Sequence, residues 1–334
     1  MVDLRHISEP LFLCEREVPE PGPGEIMLRV AACGVCHTEL DEIEGRTPPP
    51  RYPVIPGHQV VGRLADAGSR ANLYKPGDRL GVAWIFSACG TCDFCRQGLE
   101  NLCDDFRATG RDADGGYAEY MVVPESFANP IPDQLDDVTT APLLCAGAIG
   151  YRSLRLADLH NGDPLGLTGF GGSGHLVLKL ARHLYPDSPV FIFARNPLER
   201  QFGLDLGADW AGDTTDPPPL KLQAVIDTTP VWKPVLSALE NLRPGGRLVI
   251  NAIRKEGHDA HLLSMLDYPR HLWMEKEIKS VANVCRSDVR NFLDLAVRLD
   301  IRPQVELYPL EEANRALVEL KTGAVQGAKV LTIA

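Results

Sequence analysis

The sequence predicts a two-domain protein that combines an all-β, barrel-like domain with an α/β domain built on a doubly wound parallel sheet. The chain has 334 residues, which is more than one compact core of ordinary size holds. Residues 1–85 contain short apolar runs that end at Pro and Gly, a pattern typical of β-strands. From residue 163 onward, strand-like runs alternate with helical patterns, which indicates βαβ units.

Composition and charge exclude several classes of function. Hydrophobic residues make up 44% of the chain and charged residues 24%, as in soluble globular proteins. The net charge of -11 argues against general nucleic-acid binding, which needs Lys and Arg at phosphates. No apolar run approaches the ~20 residues that span a bilayer, and the N-terminus lacks the pattern of a secretory signal. We expect a cytoplasmic protein whose partners are small molecules.

A four-cysteine cluster is the strongest local motif. Nine cysteines in a cytosolic chain are more typical of metal binding or thiol chemistry than of a disulfide framework. Four thiolates close a tetrahedral zinc site and leave no open position, so such a site is structural. An iron–sulfur cluster and four incidental thiols are the alternatives. The cluster has the spacing C-x2-C-x2-C-x7-C and consists of Cys89, Cys92, Cys95 and Cys103.

A second candidate metal site is incomplete in the local sequence. Cys36 and His58 are potential soft-metal ligands in glycine-flanked turns. A catalytic zinc needs three protein ligands and one open position, so a third ligand must come from elsewhere. Cys145 lies in an apolar helical stretch, LLCAGAIGYRSL, where a lone cysteine is more often a small core residue than a ligand.

A glycine-rich turn stands between a predicted strand and a predicted helix. Gly169, Gly171 and Gly174 form the pattern G-x-G-x-x-G, with Gly172 inside it. Within a βαβ unit this pattern predicts a dinucleotide site, because the glycines let the backbone approach a pyrophosphate at the helix N-terminus. His175 follows, and we expect it at the surface where the helix begins.

The end of the second strand of this unit favours NADP over NAD. NAD-binding folds usually place an acid here to hold the ribose 2′-hydroxyl, but the position falls at Ala194. Arg195 and Arg200 follow, so a 2′-phosphate would meet guanidinium groups. The alternative is that both arginines are solvated surface residues.

These segments, in this order, resemble the zinc-dependent medium-chain alcohol dehydrogenases over nearly the whole chain. The matching pieces are GVCHTEL, GHQVVGRLADAG, KPGDRLGV, the cysteine lobe ending in ENLC, LLCAG and GFGGSG. The resemblance implies a GroES-like catalytic domain over 1–147 with the lobe at 89–103, and an inserted Rossmann nucleotide-binding domain over 148–284. Residues 285–334 would return to the catalytic domain, and the protein would be a homodimer or homotetramer.

The resemblance also implies roles for individual residues. Cys36, His58 and Cys145 match the ligands of the catalytic zinc, and the cysteine lobe matches a structural zinc, so we expect two zinc ions per chain. Thr38 matches the hydroxyl residue that bonds the substrate oxygen and opens its proton path. His37 matches a position that contacts the cofactor pyrophosphate.

The implied reaction is hydride transfer between an alcohol and NAD(P)+, with zinc as a Lewis acid. The chain would be an alcohol dehydrogenase or aldehyde reductase. A polyol or sugar dehydrogenase on the same scaffold is one alternative, and a zinc- and nucleotide-binding protein without turnover is another. The intact set of ligands with Thr38 disfavours the latter.

Four positions differ from the usual family pattern. Gln59 replaces a glutamate after the zinc histidine, and Glu39 stands where an aspartate usually supports that histidine. Asp41 takes a position at which many members have the last histidine of a proton relay. Ile149 replaces a threonine near the nicotinamide. None of the four removes a metal ligand, so we expect an active enzyme.

Overall fold

The structure, a computed structural model, describes residues 9–322 and 327–333. The chain divides into two compact units. The first unit comprises residues 1–148 and 283–334, and the second comprises residues 149–282. Within the part that the structure describes, no helix is long and apolar enough to cross a membrane.

Helices and strands alternate along most of the chain. The helices are α1 (His37–Ile43), α2 (Asp93–Arg96), α3 (Asp137–Thr140), α4 (Ala146–Ala157), α5 (Gly172–Leu184), α6 (Pro197–Asp205), α7 (Lys233–Asn241), α8 (Tyr268–His271), α9 (Arg286–Arg298) and α10 (Ala313–Thr322). Short 3-10 helices cover Glu100–Leu102, Glu125–Phe127, Ala141–Leu144, Ala260–Met265 and Leu310–Glu312. The strands are β1 (Glu25–Val35), β2 (Val60–Ala67), β3 (Arg79–Val82), β4 (Ile85–Ser87), β5 (Arg107–Ala108), β6 (Tyr120–Pro124), β7 (Ala128–Pro130), β8 (Leu165–Thr168), β9 (Val190–Phe193), β10 (Trp210–Gly212), β11 (Leu222–Asp227), β12 (Leu242–Ile250), β13 (Glu277–Ser280), β14 (Val305–Pro309) and β15 (Ala328–Thr332).

The first unit is built around strand β1. Seven strands form one sheet in the order β14-β15-β1-β2-β3-β7, and β6 also pairs with β1. β1 is antiparallel to β2, β6 and β15, whereas β14 and β15 are parallel. Alternate β1 residues point into the core and are buried, namely Ile26, Leu28, Val30 and Ala32. The end of β1 therefore has a fixed position at Val35, immediately before Cys36.

The second unit contains a six-stranded parallel sheet in the order β10-β9-β8-β11-β12-β13. Counted within the unit, this order is 3-2-1-4-5-6, which is that of a doubly wound nucleotide-binding fold. The connections change direction between β8 and β11, so a crevice is expected outside their carboxyl ends. Buried aromatic and aliphatic side chains pack the sheet, among them Phe191, Phe193, Val225, Leu239 and Leu248. The fold class predicted from the sequence is confirmed.

Two local predictions were wrong. Residues 1–85 contain helix α1 as well as strands. The sequence also predicts that a helix begins between Asp133 and Leu144, whereas the structure divides this region into α3, a 3-10 turn and α4. Pro142 accounts for the break, because proline has no N–H to donate within a continuing helix. Cys145 lies at the junction, with φ -122° and ψ -77°.

Candidate active site

Three side chains that are distant in sequence converge in the first unit. The ligand atoms of Cys36, His58 and Cys145 all lie within 4.8 Å of one another. Cys36 is the N-cap residue of α1, His58 precedes β2, and Cys145 separates a 3-10 turn from α4. The Nε2 atom of His58 lies 3.3 Å from Sγ of Cys145. The structure therefore brings together the three ligands proposed for the catalytic zinc.

Gly57 fixes the backbone next to His58. Its φ of 99° is in the left-handed region that favours glycine. A β-carbon at this position would lie 2.4 Å from the Tyr117 ring and 2.9 Å from Sγ of Cys33. Any other residue would displace the segment that carries His58.

Glu39 supports both Cys36 and His58. Its Oε1 atom lies 2.6 Å from Nδ1 of His58, and its Oε2 atom accepts the backbone N–H of Cys36 at 2.8 Å. Glu39 and His58 are 0% and 1% exposed, so their contact is shielded from water. Because Nδ1 faces the carboxylate, Nε2 is left to face the thiols, as in metal-bound histidines.

The charges of this cluster suit a divalent cation. The hydrogen bond with Cys145 holds the pKa of the Cys36 thiol well below its ordinary value, and the same contact raises the pKa of Cys145 well above it. Burial opposes protonation of His58, but the Glu39 carboxylate and Cys36 raise the imidazole pKa well above its ordinary value. A metal ion would displace the protons that these groups share. The donor set of two sulfurs and one imidazole fits zinc with one open position.

The four-cysteine lobe forms a second group of potential metal ligands. The Sγ atoms of Cys89, Cys92, Cys95 and Cys103 lie within 4.8 Å of one another. Backbone N–H groups of Thr91 and Cys92 donate to Sγ of Cys89 at 3.4 and 3.3 Å, which stabilises a thiolate. Four sulfur donors fill a tetrahedral site, so this group fits a structural metal.

The lobe is attached to the start of α9. Arg286 lies 2.7 Å from the Glu100 carboxylate, and Sγ of Cys285 donates to Oδ1 of Asn101 at 2.9 Å. Glu100 and Asn101 are both buried. The fold of the lobe and the position of α9 therefore depend on each other.

The remaining residues of the predicted metal site lie along α1. The hydroxyl of Thr38 is 3.7 Å from Sγ of Cys36, and His37 is exposed at the first position of the helix. Asp41 is 7% exposed and lies 2.5 Å from Nε of Arg46. The carboxylate at the proposed relay position is therefore neutralised by an arginine that the sequence analysis did not consider.

The glycine turn of the second unit joins β8 to α5. Gly169 has a φ of 79°, and a β-carbon there would lie 2.7 Å from Oγ1 of Thr228. At Gly174 it would lie 2.9 Å from the carbonyl oxygen of Gly169. Gly171 is the N-cap of α5 and Gly172 is its first residue. Backbone N–H groups at this helix start are thus available to an anion.

His175 is buried, contrary to the expectation from the sequence. Its Nδ1 atom lies 3.3 Å from the carbonyl oxygen of Gly171, and its ring packs 6.3 Å from the Phe202 ring. Burial lowers the pKa of the imidazole. His175 helps to pack α5 against α6 because its side chain points inward rather than toward solvent.

The two arginines after β9 have different surroundings. Arg195 is exposed and forms no ion pair with any residue in the ranges 9–322 and 327–333. Arg200 donates to the carbonyl oxygen of Ala194 at 2.9 Å and lies 3.5 Å from the Asp213 carboxylate. Of the two guanidinium groups, that of Arg195 is therefore the more available to bind the 2′-phosphate of NADP.

Sequence reasoning did not identify Asp227 and Lys255. Asp227 is fully buried at the end of β11 and forms an ion pair with the ammonium group of Lys255. Asp227 ends an apolar strand, and polar residues at the carboxyl ends of parallel strands often contact ligands. Asp227 could therefore have been identified from its position at the end of a strand. No local sequence pattern indicates that Lys255 is its partner.

Known proteins match most of the chain. Residues 22–133 match the family model of the alcohol dehydrogenase GroES-like domain. A Mycobacterium tuberculosis (strain CDC 1551 / Oshkosh) protein named "Probable alcohol dehydrogenase AdhA" is 44% identical, over 97% of this chain and 93% of that protein.

Solved structures of related proteins have the same fold. A cinnamyl alcohol dehydrogenase from Sorghum bicolor is 28% identical with a TM-score of 0.83, covering 95% of this chain and 92% of that one. A thermostable alcohol dehydrogenase from Pyrobaculum aerophilum, bound to cobalt and zinc, is 25% identical with a TM-score of 0.85. The match covers 96% of this chain and 95% of that one.

Proposed function

Because the chain belongs to the zinc-type medium-chain alcohol dehydrogenase family and is an alcohol dehydrogenase or reductase, we propose that Cys36, His58 and Cys145 hold its catalytic zinc and that NADP(H) is its preferred cofactor. The observation that carries this proposal is the convergence of two thiols and one imidazole within 4.8 Å. The buried contact of Glu39 with His58 supports it, because such a contact orients an imidazole toward a metal.

The chemistry requires removal of one hydride from the alcohol carbon and one proton from its oxygen. When bound, zinc would supply a Lewis acid for that oxygen and NADP+ the hydride acceptor. Thr38 is the group of this chain that we assign to the proton, since its hydroxyl lies beside Cys36. The products are then an aldehyde or ketone, NADPH and one proton.

We assign Asp41 no part in passing on that proton. Its carboxylate is already paired with Arg46, whose Nε atom lies 2.5 Å from Oδ1. We therefore expect the proton to pass from Thr38 to water or to a cofactor hydroxyl. The pH profile of kcat should then show no inflection from a relay histidine, and kcat for the Asp41→Asn variant should be within about threefold of wild type. A hundredfold loss in that variant would assign Asp41 to the relay.

We assign the cofactor pyrophosphate to the turn formed by Gly169, Gly171, Gly172 and Gly174. The supporting observation is the glycine turn between β8 and α5, at the point where the strand order reverses. The 2′-phosphate would meet Arg195 first, since Arg200 already lies beside Asp213.

The choice of NADP has a direct kinetic test. Wild-type kcat/KM should be higher with NADP+ than with NAD+. The Arg195→Gln variant should lose about tenfold or more with NADP+, because a charge-assisted bond to phosphate is removed, and little with NAD+. Equal or better wild-type activity with NAD+ would refute the assignment.

We further propose that a second zinc occupies Cys89, Cys92, Cys95 and Cys103. Metal analysis of the purified protein should then give two zinc ions per chain. A value of one zinc per chain would contradict one of the two assignments, and iron would favour an iron–sulfur cluster in the lobe.

The substrate class is identified by measuring activity on a panel of primary, secondary, aromatic and polyol substrates, monitored at the nicotinamide absorbance band.

A homo-oligomer is supported by the exposed edge of the parallel sheet. β13 ends the sheet, and all four of its residues are exposed. These four include Ile278, and Tyr268 and Trp273 nearby are also exposed. Exposed strand edges with apolar side chains favour pairing with another copy. Light scattering after size exclusion should give the mass of a dimer or tetramer, and a monomer would contradict the proposal.

We place the protein in the cytoplasm, consistent with its nine free cysteines.

A further inference from the structure

A buried ion pair lies at the carboxyl end of two central strands of the second unit. Asp227 ends β11 and is 0% exposed. The side chain of Lys255 is 8% exposed. Its ammonium group contacts the Asp227 carboxylate and also donates to the carbonyl oxygens of Thr229 at 2.7 Å and Val231 at 3.1 Å. The three N–H donors of Lys255 therefore have three acceptors. Burying an ion pair has a large desolvation cost, which points to a role for this pair beyond packing.

The pair connects two loops. The loop 228–232 follows β11 and supplies two carbonyl acceptors for Lys255. The loop 251–259 follows β12 and carries Lys255. Two more contacts join the loops: the N–H of Glu256 donates to the oxygen of Pro230 at 2.6 Å, and Asp259 accepts the N–H groups of Trp232 and Lys233 at 2.8 and 2.9 Å. Lys255 is at the centre of this connection.

The first of these loops adjoins the glycine turn. The N–H of Thr228 donates to the oxygen of Thr168 at 2.9 Å, and its hydroxyl donates to the same oxygen at 3.1 Å. The hydroxyl also lies 3.4 Å from the oxygen of Gly169. The position of Thr228 is thus set on one side by the turn assigned to the pyrophosphate and on the other by Asp227 and Lys255.

A doubly wound fold consists of two mononucleotide-binding halves, and a dinucleotide lies across the carboxyl ends of both. The half containing β8 and β9 carries the glycine turn and the arginines assigned to the adenosine side. The half containing β11 and β12 would therefore bind the nicotinamide side of the dinucleotide. Its two loops are the ones that Lys255 joins.

We propose that Lys255 is a positioning residue for the nicotinamide half of the cofactor: paired with Asp227, it fixes the loops 228–232 and 251–259 that would contact the nicotinamide ribose and ring. The inference rests on the proposed function, since it requires a bound dinucleotide. Lys255 has no direct role in the chemistry, because its donors are already occupied by Asp227, Thr229 and Val231.

The test compares wild type with Lys255→Met, Lys255→Arg and the charge-neutral double variant Asp227→Asn/Lys255→Met. The dissociation constant of NADPH is measured by nicotinamide fluorescence, beside KM for the alcohol and Tm. We expect Lys255→Met to weaken NADPH binding by about tenfold or more and to change the alcohol KM less than about twofold at saturating cofactor. Lys255→Arg should restore part of the affinity. The double variant should regain Tm but not affinity.

Lys276→Met is the matched control. Lys276 is also partly buried and donates to two backbone carbonyls, those of Leu239 at 2.7 Å and Arg270 at 2.9 Å. It immediately precedes β13, at the amino end of the sheet rather than the carboxyl end. Its loss should lower Tm and leave the NADPH dissociation constant unchanged.

Three outcomes would decide the matter. If wild type binds neither NADPH nor NADH, the proposed function is wrong and the inference falls with it. If wild type binds and the two variants that carry Lys255→Met bind equally well, Lys255 is only structural and the inference alone is refuted. If 2′,5′-ADP, which keeps the 2′-phosphate but lacks both the nicotinamide ribose and the ring, loses as much affinity as NADPH in Lys255→Met, the loops do not act on the nicotinamide half.

Discussion

Glu39 contacts two of the three residues that we propose as ligands of the catalytic zinc. Its two carboxylate oxygens contact the imidazole of one proposed ligand and the backbone N–H of another. The resemblance to the family implies that an aspartate, with a shorter side chain, is usual at this position. The structure shows that the longer side chain reaches His58 while also supporting the start of α1.

Replacing Glu39 by Gln should weaken metal binding. The amide can still accept the N–H of Cys36, but it offers no charge to His58. We expect zinc affinity at the three-ligand site to fall by about 10–100-fold, measured by competition with a chromophoric chelator. Glu42→Gln, on the same helix, is the control. Unchanged affinity in Glu39→Gln would show that the contact with His58 is dispensable.

Glu42 gives a prediction about pH. Burial, with the neighbouring Glu39 charge, raises its pKa to about 9, and the residue is 3% exposed. The folded protein then holds a proton that the unfolded chain releases near pH ~4.3. Stability should therefore fall as pH rises from about 4.3 to about 9, and the contribution of this group should level off above that.

The Glu42→Gln variant should lose this dependence. Its stability relative to wild type should improve with pH, by at most about 1.4 kcal/mol per pH unit, between about pH 6 and about pH 9. Urea unfolding of both proteins across this range provides the measurement. A difference that does not change with pH would mean that Glu42 is ionised in the folded state.

At the scale of elements, the segment that enters β2 is held in place by Gly57. The Gly57→Ala variant combines a positive φ with contacts of 2.4 and 2.9 Å to Tyr117 and Cys33. We expect a loss of about 2–4 kcal/mol in the free energy of unfolding and a loss of the metal bound near His58.

The control is Gly77→Ala. Gly77 also has a positive φ, of 88°, but a β-carbon there meets nothing within 4 Å. Backbone strain alone should cost about 1–2 kcal/mol, with both metals retained. Equal losses in the two variants would show that the contacts at Gly57 are relieved by small movements.

The elements themselves were predictable to different degrees. The parallel sheet followed from strands, glycine turn and helices in regular alternation, and its strand order is the one expected. α1 was not predicted, because it has only seven residues and its N-cap residue is a cysteine, which is not among the usual capping residues. In the sequence its signal was Glu39, three residues after Cys36, as in a capping box.

The candidate site was predictable only in part. The residues themselves supplied Cys36 and His58, while Cys145 became a ligand candidate only through the family resemblance. Ion pairs between residues that are distant in sequence could not be predicted, since no local pattern relates Asp227 to Lys255. Even Arg46, five residues from Asp41, was not recognised as its partner, because charged residues near each other in sequence need not be paired.

At the scale of the whole molecule, we expect the cysteine lobe to stabilise the folded protein. Cys103→Ser should remove one zinc per chain and lower Tm, because the lobe is attached to α9 through Glu100 and Arg286. The three-ligand site should keep its metal. Cys14→Ser, which alters an exposed thiol outside both groups, should retain both. Loss of both metals in Cys103→Ser would mean that the two sites are not independent.

The pairing of β1 with β15 has a consequence for biosynthesis. Cys145 leaves the ribosome roughly 180 residues before β15, which at ~5–20 residues per second is a delay of roughly 10–40 s. During that time the second unit can fold completely, while residues Ala32 to Val35 of β1 still lack their β15 partner. The end of the strand that leads into Cys36 is therefore complete only when translation is nearly over, and a nascent chain stalled before residue 328 would present that strand end to chaperones.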